Sequence, residues 1–451
     1  FVLSAAIILS AFSSAVISAT DYTKALDGQY DNPTEVIQSQ TVKQADCDSS
    51  SPKASQRWYF YPAEAESSDK IISTAEYTQN VNYLSKITDS RGGSTLYNHN
   101  ALTGTLTNTT DPNGNVTSYT YDTATNALLS VASGSSSAAY TYENDLLTGI
   151  TAGGNAYAFT YDAFGRRTGV KIGSRLLSAT EYSGTLVSKQ TYGNGNYITY
   201  SYDNLDRITE KKYNNASTAA AGYMYGANGL LSVFTDRLKN TNTRYTYDLA
   251  NRVTVITEYS GTELYGIDLL SSVKYSYEDK TNRLSSVIRK SALGSSETGF
   301  VYGSTLEGQN PDAVYTVKHN GNAALNYTYD ALGRLSGKTI APINKNAGYT
   351  YLSGGHGESS TTTLVGSVTQ NGKTTGYTYD ANGNITEIKE NGVVKESYTY
   401  DSLNQLKTVT RNGVTTEYSY SGGNITEVKQ NGTTTKSYAY GDSEWKDLLT
   451  A

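Results

Sequence analysis

Along most of the chain apolar and polar residues alternate with a period of two, not 3.6, which predicts strands and few helices. Tyrosine carries the alternation. Tyr-x-Tyr recurs with its first ring at positions 119, 140, 200, 223, 245, 275, 327, 349, 377, 398, 418 and 438, with Phe-x-Tyr at 159 and 300 and a decayed copy at Tyr182. From Tyr121 to Tyr440 the second tyrosines are 19 to 30 residues apart, most often 20 to 23, so the architecture repeats. Residues i and i+2 of a strand share a face, so each pair sets two rings side by side while Thr, Ser or Ala points the other way.

Each pair is followed by a turn. Asp stands after the second tyrosine at Asp122, Asp162, Asp203, Asp248, Asp330, Asp380 and Asp401. Three residues beyond six of these stand Gly165, Asp206, Asn251, Gly333, Gly383 and Asn404, the residue types that best tolerate a left-handed backbone. The aspartate is expected to accept an amide two residues on, and the left-handed residue to turn the chain into the next strand. A polar residue follows, often arginine (Arg166, Arg207, Arg252, Arg334), then an apolar one such as Ile208, Val253, Leu335, Ile385 or Leu406 that opens the returning strand. Asn-Gly at Asn371, Asn391, Asn412 and Asn431 marks a hairpin halfway through the later repeats, so each repeat is two strands.

Counting outward from a two-residue loop at Asn391-Gly392 pairs Glu390 with Val393 and sets Ile385 opposite Tyr398; the same count at Asn431-Gly432 sets Ile425 opposite Tyr438. The count through Asn412 slips by one, pairing Tyr418 with Lys407, which predicts a bulge or a different loop there. About fourteen such repeats, at ~4.8 Å per strand, make a ribbon roughly 130 Å wide, and accumulated twist forces so wide a sheet to coil. The expected fold class is all-β: a long antiparallel meander of hairpins coiling into a curved or spiral single-layer sheet that forms part of a hollow shell.

Composition agrees with this picture. Apolar residues make up 37% of the 451 residues, and tyrosine contributes 41 against 7 phenylalanines, too little aliphatic bulk for a thick core. A net charge of −6 with scattered Lys and Arg leaves no basic stripe for nucleic acid. One cysteine, Cys47, permits no internal disulfide and no thiolate metal site. Residues 1–19 are uncharged and end in small residues; they read as the core of a truncated secretory signal or as one or two apolar strands, a membrane span being a third option and no stable span being expected. Residues 20–80 show no clear period and are expected to be a flanking or plug region, residues 81–441 the repeat array, and 442–451 its continuation.

The stretches "YTYDALGRLSGKTI" (Tyr327 to Ile340), "YSYDNLDRITEKKY" (Tyr200 to Tyr213) and "YTYDANGNITEIKENG" (Tyr377 to Gly392) closely resemble the Rhs/YD repeats of bacterial polymorphic toxins, insecticidal Tc toxin C components and teneurins. The resemblance covers about residues 80 to 441. It implies a spiralling sheet that closes into a hollow shell around a C-terminal toxin domain, released by self-cleavage at a core element. On that reading the chain is a non-enzymatic piece of shell wall from a secreted or cell-surface bacterial protein, with the reading frame continuing past Ala451 into core and toxin. Its partner is that toxin domain of the same polypeptide. The alternative is a surface adhesin whose tyrosine-rich sheet binds glycans or a receptor. The residues expected to define the repeat are Tyr119, Tyr121, Asp122, Tyr200, Tyr202, Asp203, Arg207, Tyr245, Tyr247, Asp248, Tyr327, Tyr329, Asp330, Gly333, Arg334, Tyr377, Tyr379, Asp380, Gly383, Tyr398, Tyr400 and Asp401.

Chemistry has thin support. His99, His319 and His356 lie far apart in a chain whose repeats meet mainly their neighbours, so neither a triad nor a metal site is expected. "SGGHG" (Ser353 to Gly357) lacks the lysine and strand-to-helix context of a phosphate loop. The recurring aspartates give way to Gly226, Gly303 or Ser421 with no other change, a swap a turn tolerates and an acid–base pair does not. No cofactor and no catalytic residue is expected.

Overall fold

The computed structural model describes residues 35–37, 55–60, 70–79, 83–262, 268–303, 309–357 and 359–451. Cys47 and the apolar run 1–19 lie outside the described residues. The described residues form thirty-five strands, all in one sheet, and include a 3-10 turn at Ala341–Ile343. None of the helical structure among the described residues is long and apolar enough to cross a membrane. The fold is the all-β meander of hairpins that the tyrosine period predicts.

Two compact units divide the chain: Phe1–Tyr157 with Tyr329–Gly337 and Asn346–Ala451, and Ala158–Thr328 with Lys338–Lys345. Within the second unit, strands follow one another antiparallel from Arg167–Ile172 onward, each paired with the next. Within the first unit the meander also turns back on itself. Ser360–Gln370 pairs parallel with Lys70–Tyr77, with Ser360 opposite Lys70 and Thr361 opposite Ile71. That junction is among the driest parts of the unit: Ala75, Ser360, Thr361 and Thr362 are all buried there. Elsewhere the core is thin, and the buried apolar residues are mostly alanines, with Tyr119, Val131, Ile172 and Val287 the larger ones among the described residues.

The expected turn chemistry is visible in the backbone. Gly165, Asp206, Asn251, Gly333, Gly383 and Asn404 all have positive φ, between 58° and 91°. Asn391 and Gly392 are both left-handed, at 48° and 83°, as a tight hairpin turn that follows the strand twist requires.

The register differs from the outward count, and the difference recurs from repeat to repeat. A bulge falls beside the second tyrosine in repeat after repeat. Thr378 pairs with Glu387 but Tyr379 with Ile385, leaving Thr386 over; Thr399 pairs with Thr408 but Tyr400 with Leu406, leaving Lys407 over. The same happens beside Tyr121, Tyr202, Tyr225, Tyr247, Tyr277, Tyr302 and Tyr420. Both rings then face aliphatic partners: Tyr377 opposite Ile388 and Tyr379 opposite Ile385, Tyr245 opposite Ile256 and Tyr247 opposite Val253. Those partners are three residues apart, an odd step that a regular strand would send to opposite faces; the extra residue restores both to one face.

Three register expectations are corrected by this. In the Asn391 hairpin Ser397 lies opposite Glu387 rather than Thr386, because a second bulge between Ile388 and Lys389 moves Tyr398 out of register with Ile385; on its other side Tyr398 faces Val409. Tyr438 donates its amide to Thr426 because the Asn431 hairpin is shifted in the same way, between Val428 and Lys429. The Asn412 hairpin, where an irregularity was expected, runs regularly from Arg411 opposite Val414 to Thr408 opposite Glu417. The counts assumed regular pairing from every loop, and the bulges sit in the two hairpins that looked regular. A bulge bends its strand and adds right-handed twist, so each of these bulges bends the sheet locally beside its second tyrosine.

Candidate functional site

The unit that repeats is a node joining one turn to the next repeat. In the repeat at Asp203, one carboxylate oxygen accepts the amides of Leu205 at 2.9 Å and Arg207 at 3.0 Å, and the other accepts Arg207 Nε at 2.8 Å. The carboxylate thus clamps its own turn and orients the arginine. The guanidinium lies over the ring of Tyr225, the second tyrosine of the next repeat, 4.4 Å from its centre. The Tyr225 hydroxyl donates to the carbonyl of Ile208 at 2.8 Å. Ile208 pairs with Tyr202 at the bulge, where the ladder is interrupted, so the ring of one repeat completes the backbone of the one before.

The node recurs with little change. Arg166 covers Tyr182, Arg252 covers Tyr277, Arg283 covers Tyr302 and Arg334 covers Tyr351, at 4.1 to 4.6 Å. Hydroxyls donate backward from Tyr182, Tyr202, Tyr247, Tyr277, Tyr302, Tyr351, Tyr379, Tyr400, Tyr420 and Tyr440. Arg252 on Asp248 and Arg334 on Asp330 repeat the arrangement of Arg207 on Asp203, the backbone amide donating to one carboxylate oxygen and Nε to the other. Where arginine is missing an amide takes its place: Asn384 and Gln405 donate to Asp380 and Asp401, each at 2.9 Å.

Of the other repeat-defining residues, Tyr119 lies opposite Val131 and Tyr121 opposite Leu128, Tyr200 opposite Lys211, and Tyr398 opposite Val409. Asp122 clamps a longer turn through the amides of Ala124 and Thr125. Tyr327 and Tyr329 close the strand Asn322–Tyr329. The arginines after the turns were visible in the sequence, but neither their packing on a tyrosine ring nor its span from one repeat to the next was read from it.

Hydrogen bonds from their arginines hold the carboxyls of Asp162, Asp203 and Asp248 below the ordinary carboxylate range. A depressed carboxyl contributes stability that is complete above its unfolded value and is lost as pH falls through the lower folded value. Mild acid, below about pH 4, is therefore expected to loosen these turns. A fall at low pH in the protection of the Leu205 and Arg207 amides, their exchange relative to the intrinsic rate at the same pH, is the check, and unchanged protection there would oppose it.

The first unit adds a second kind of contact, turn on turn, between early and late repeats. Gly355 donates its amide to Ser90 at 2.9 Å, His356 Nε2 lies 2.6 Å from the Asp89 carbonyl, and Arg91 donates to the Asp380 carbonyl at 3.1 Å. Asn113 donates to Asp380 at 3.1 Å and Asn382 to Asp111 at 2.7 Å. Farther along, the Lys446 amide donates to buried Asn155 at 2.7 Å, and a Cβ on Gly153 would lie 3.2 Å from Gly422 Cα. Late turns that follow a tyrosine pair thus dock on early turns from the opposite ends of their hairpins.

The histidines do not converge. His99 fills a second-tyrosine position opposite Leu106 and stacks on Tyr83 at 5.2 Å, its basicity lowered by burial. His319 sits 3.4 Å from Asn320 Nδ2, and His356 belongs to the turn contacts above. No cluster of three or more His, Cys, Asp or Glu that could hold a metal occurs among the described residues.

Neither a protein-family model nor a curated protein matches the chain. Solved structures do. The crystal structure of TcdB2-TccC3-TEV superposes with a TM-score of 0.63 at 13% identity, over 86% of this chain and 24% of that one. TcdB2-TccC3 gives 0.62 over 85% and 23%, and TcdB2-TccC3-Cdc42 gives 0.61 over 84% and 23%, both at 13% identity. The chain therefore shares the fold of the matched part of the TcdB2-TccC3 structures and spans about a quarter of their length.

Proposed function

We propose that this chain is wall of a non-enzymatic, Rhs-type shell, from a protein secreted by or displayed on a bacterium, that encloses a toxin domain of the same polypeptide. The observation that carries the reading is the node: repeat after repeat is tied to its neighbour through a backward tyrosine hydroxyl bond, in several of them beneath an arginine, which suits a continuous wall made from a single layer. The likeness in fold to TcdB2-TccC3 supports it. The turn aspartates support a structural role too, since both oxygens of Asp203 are already committed to the backbone and to Arg207. Domain organisation follows the same reading, with 81–441 as wall, 20–80 as a flanking or plug segment and 442–451 leading onward.

The test is limited proteolysis of the protein expressed from its complete reading frame. A downstream domain that resists protease while the sheet is folded, and is cut once urea unfolds it, supports enclosure. A downstream domain cut as fast as when expressed alone sinks it.

One observation favours the adhesin reading. In the second unit Tyr192, Tyr197 and Tyr213 with Asn194, Asn196, Asn214 and Ile198 line an open cleft, and Tyr192 and Tyr213 are 43% and 44% exposed. Rings beside amides suit a sugar, which stacks its apolar face and hydrogen-bonds its rim. Glycan-array binding that Tyr192→Ala and Tyr213→Ala abolish would favour it; no binding across a broad array would remove its support.

A further inference from the structure

The turns 111–115 and 380–384 share one sequence pattern, Asp-x-Asn-Gly-Asn, and dock on each other reciprocally. Asn113 Nδ2 donates to Asp380 Oδ2 at 3.1 Å, and Asn382 Nδ2 donates to Asp111 Oδ2 at 2.7 Å. The Asn113 amide also donates to Asn382 Oδ1 at 3.2 Å. Each turn thus presents one carboxylate and one side-chain amide to the other, and both amide-to-carboxylate contacts depend on that amide being a donor.

Both donor asparagines precede glycine, the step at which asparagine is chemically least durable. The backbone nitrogen of the glycine, losing its proton, attacks the asparagine Cγ; a C–N bond closes a succinimide and the side-chain nitrogen leaves as ammonia. Water then opens the ring to aspartate or isoaspartate. The net change is amide plus water to carboxylate plus ammonium, with no redox partner required.

We propose that Asn113 and Asn382 are deamidation sites that release this seam. Conversion of Asn382 sets a carboxylate against Asp111, and conversion of Asn113 sets one against Asp380, so an attraction becomes a like-charge contact. Closure of the seam protects the same sites. The Gly114 and Gly383 amides that must attack are donated to the Asp111 and Asp380 carbonyls, at 2.9 and 3.1 Å, and the asparagine side chains are held across the seam. The chemistry proceeds when the seam opens and then keeps it open.

Donation from Nδ2 to a facing carboxylate separates these asparagines from the hairpin ones. Asn391 Oδ1 accepts the Thr374 amide and Asn431 Oδ1 accepts the Thr415 amide, each at 2.9 Å. A carboxylate there still accepts, so conversion to aspartate leaves the hairpin contacts in place.

The experiment ages the whole chain in mildly alkaline buffer and follows peptide masses together with hydrogen exchange. Aspartate or isoaspartate at 113 and 382 is expected to accompany exchange about tenfold faster at the Asn113 amide, which is donated across the seam, the effect of about one pKa unit of lost interaction. Asn382→Asp and Asn113→Asp reproduce the change in fresh protein. Adding Asp111→Asn to the first, or Asp380→Asn to the second, restores slow exchange, while Asn391→Asp leaves it unaltered. The proposal is overturned if aged protein retains both amides while Asn391 and Asn431 convert, if either single variant exchanges like the parent, or if removing the facing carboxylate rescues neither.

Discussion

Raising the pH from about 10 to about 12 is expected to unfold the sheet in one cooperative step led by its tyrosines. Burial raises Tyr202, Tyr302, Tyr351, Tyr379, Tyr400 and Tyr420 above the ordinary phenol value, and each of these donates its hydroxyl to the repeat before it. Tyr398 is pushed up to about 12, by burial first and then by its hydrogen bond to Glu396. A group whose folded value is raised contributes stability that is whole below the unfolded value, 10.0 for tyrosine, and is lost as pH rises through the folded one. A phenolate cannot donate, so ionisation also turns each backward bond into a repulsion between oxygens. Because the node repeats, the losses fall along the whole meander rather than at one place. Tyrosinate absorbance and strand circular dichroism, followed together against pH, are expected to change in the same step. Tyrosines that ionise near 10 with the strand signal intact would show that the hydroxyls hold nothing.

The tyrosine period, the turn aspartates and the left-handed positions were all legible in the sequence because they are local. A bond from Asp203 to Leu205 spans two residues, and a left-handed Asn251 follows from its own backbone preference. The bulges were legible too, but in a signal that counting outward from the loops passes over. Ile385 and Ile388, Leu406 and Val409, and Ile425 and Val428 are three apart where their partner tyrosines are two apart. Only an extra residue reconciles the two spacings on one face. The backward bond depends on that bulge: Tyr400 finds the carbonyl of Ile385 because Ile385 opens the irregular step. The seam was not legible, since Asn113 and Asp380 are 267 residues apart and nothing in either turn states which other turn it meets. The shared Asp-x-Asn-Gly-Asn pattern was the one available hint.

Arg334→Ala is expected to be the most damaging change at any node, because this arginine also holds the place where the first unit turns back on itself. Its guanidinium pairs with Asp330 at 2.7 Å, lies 4.1 Å from the centre of the Tyr351 ring and donates to Thr361 Oγ1 at 2.9 Å and to the Thr362 carbonyl. Thr361 is the residue paired with Ile71 across the parallel junction, and Thr362 is fully buried. The side chain of Arg334 is 14% exposed and that of Asp330 25%. Breaking a fully buried pair costs ~3–5 kcal/mol, and water reaching the quarter-exposed carboxylate brings this to about 2–3 kcal/mol. The matched variant Arg207→Ala breaks a node with no such junction beside it, its arginine 28% exposed, and is expected to cost about 1 kcal/mol. Arg334→Lys keeps the charge but loses the fork and the ring contact, so it should recover about half of the loss. Urea midpoints measure the totals, and hydrogen exchange locates them: Arg334→Ala should expose the amides of Ser360–Gln370 and Lys70–Tyr77 before the rest of the sheet. Equal costs for Arg334→Ala and Arg207→Ala, with exchange at the junction unchanged, would mean that the junction stands without its arginine and that the single parallel pairing of Ser360 and Thr361 is enough to close it.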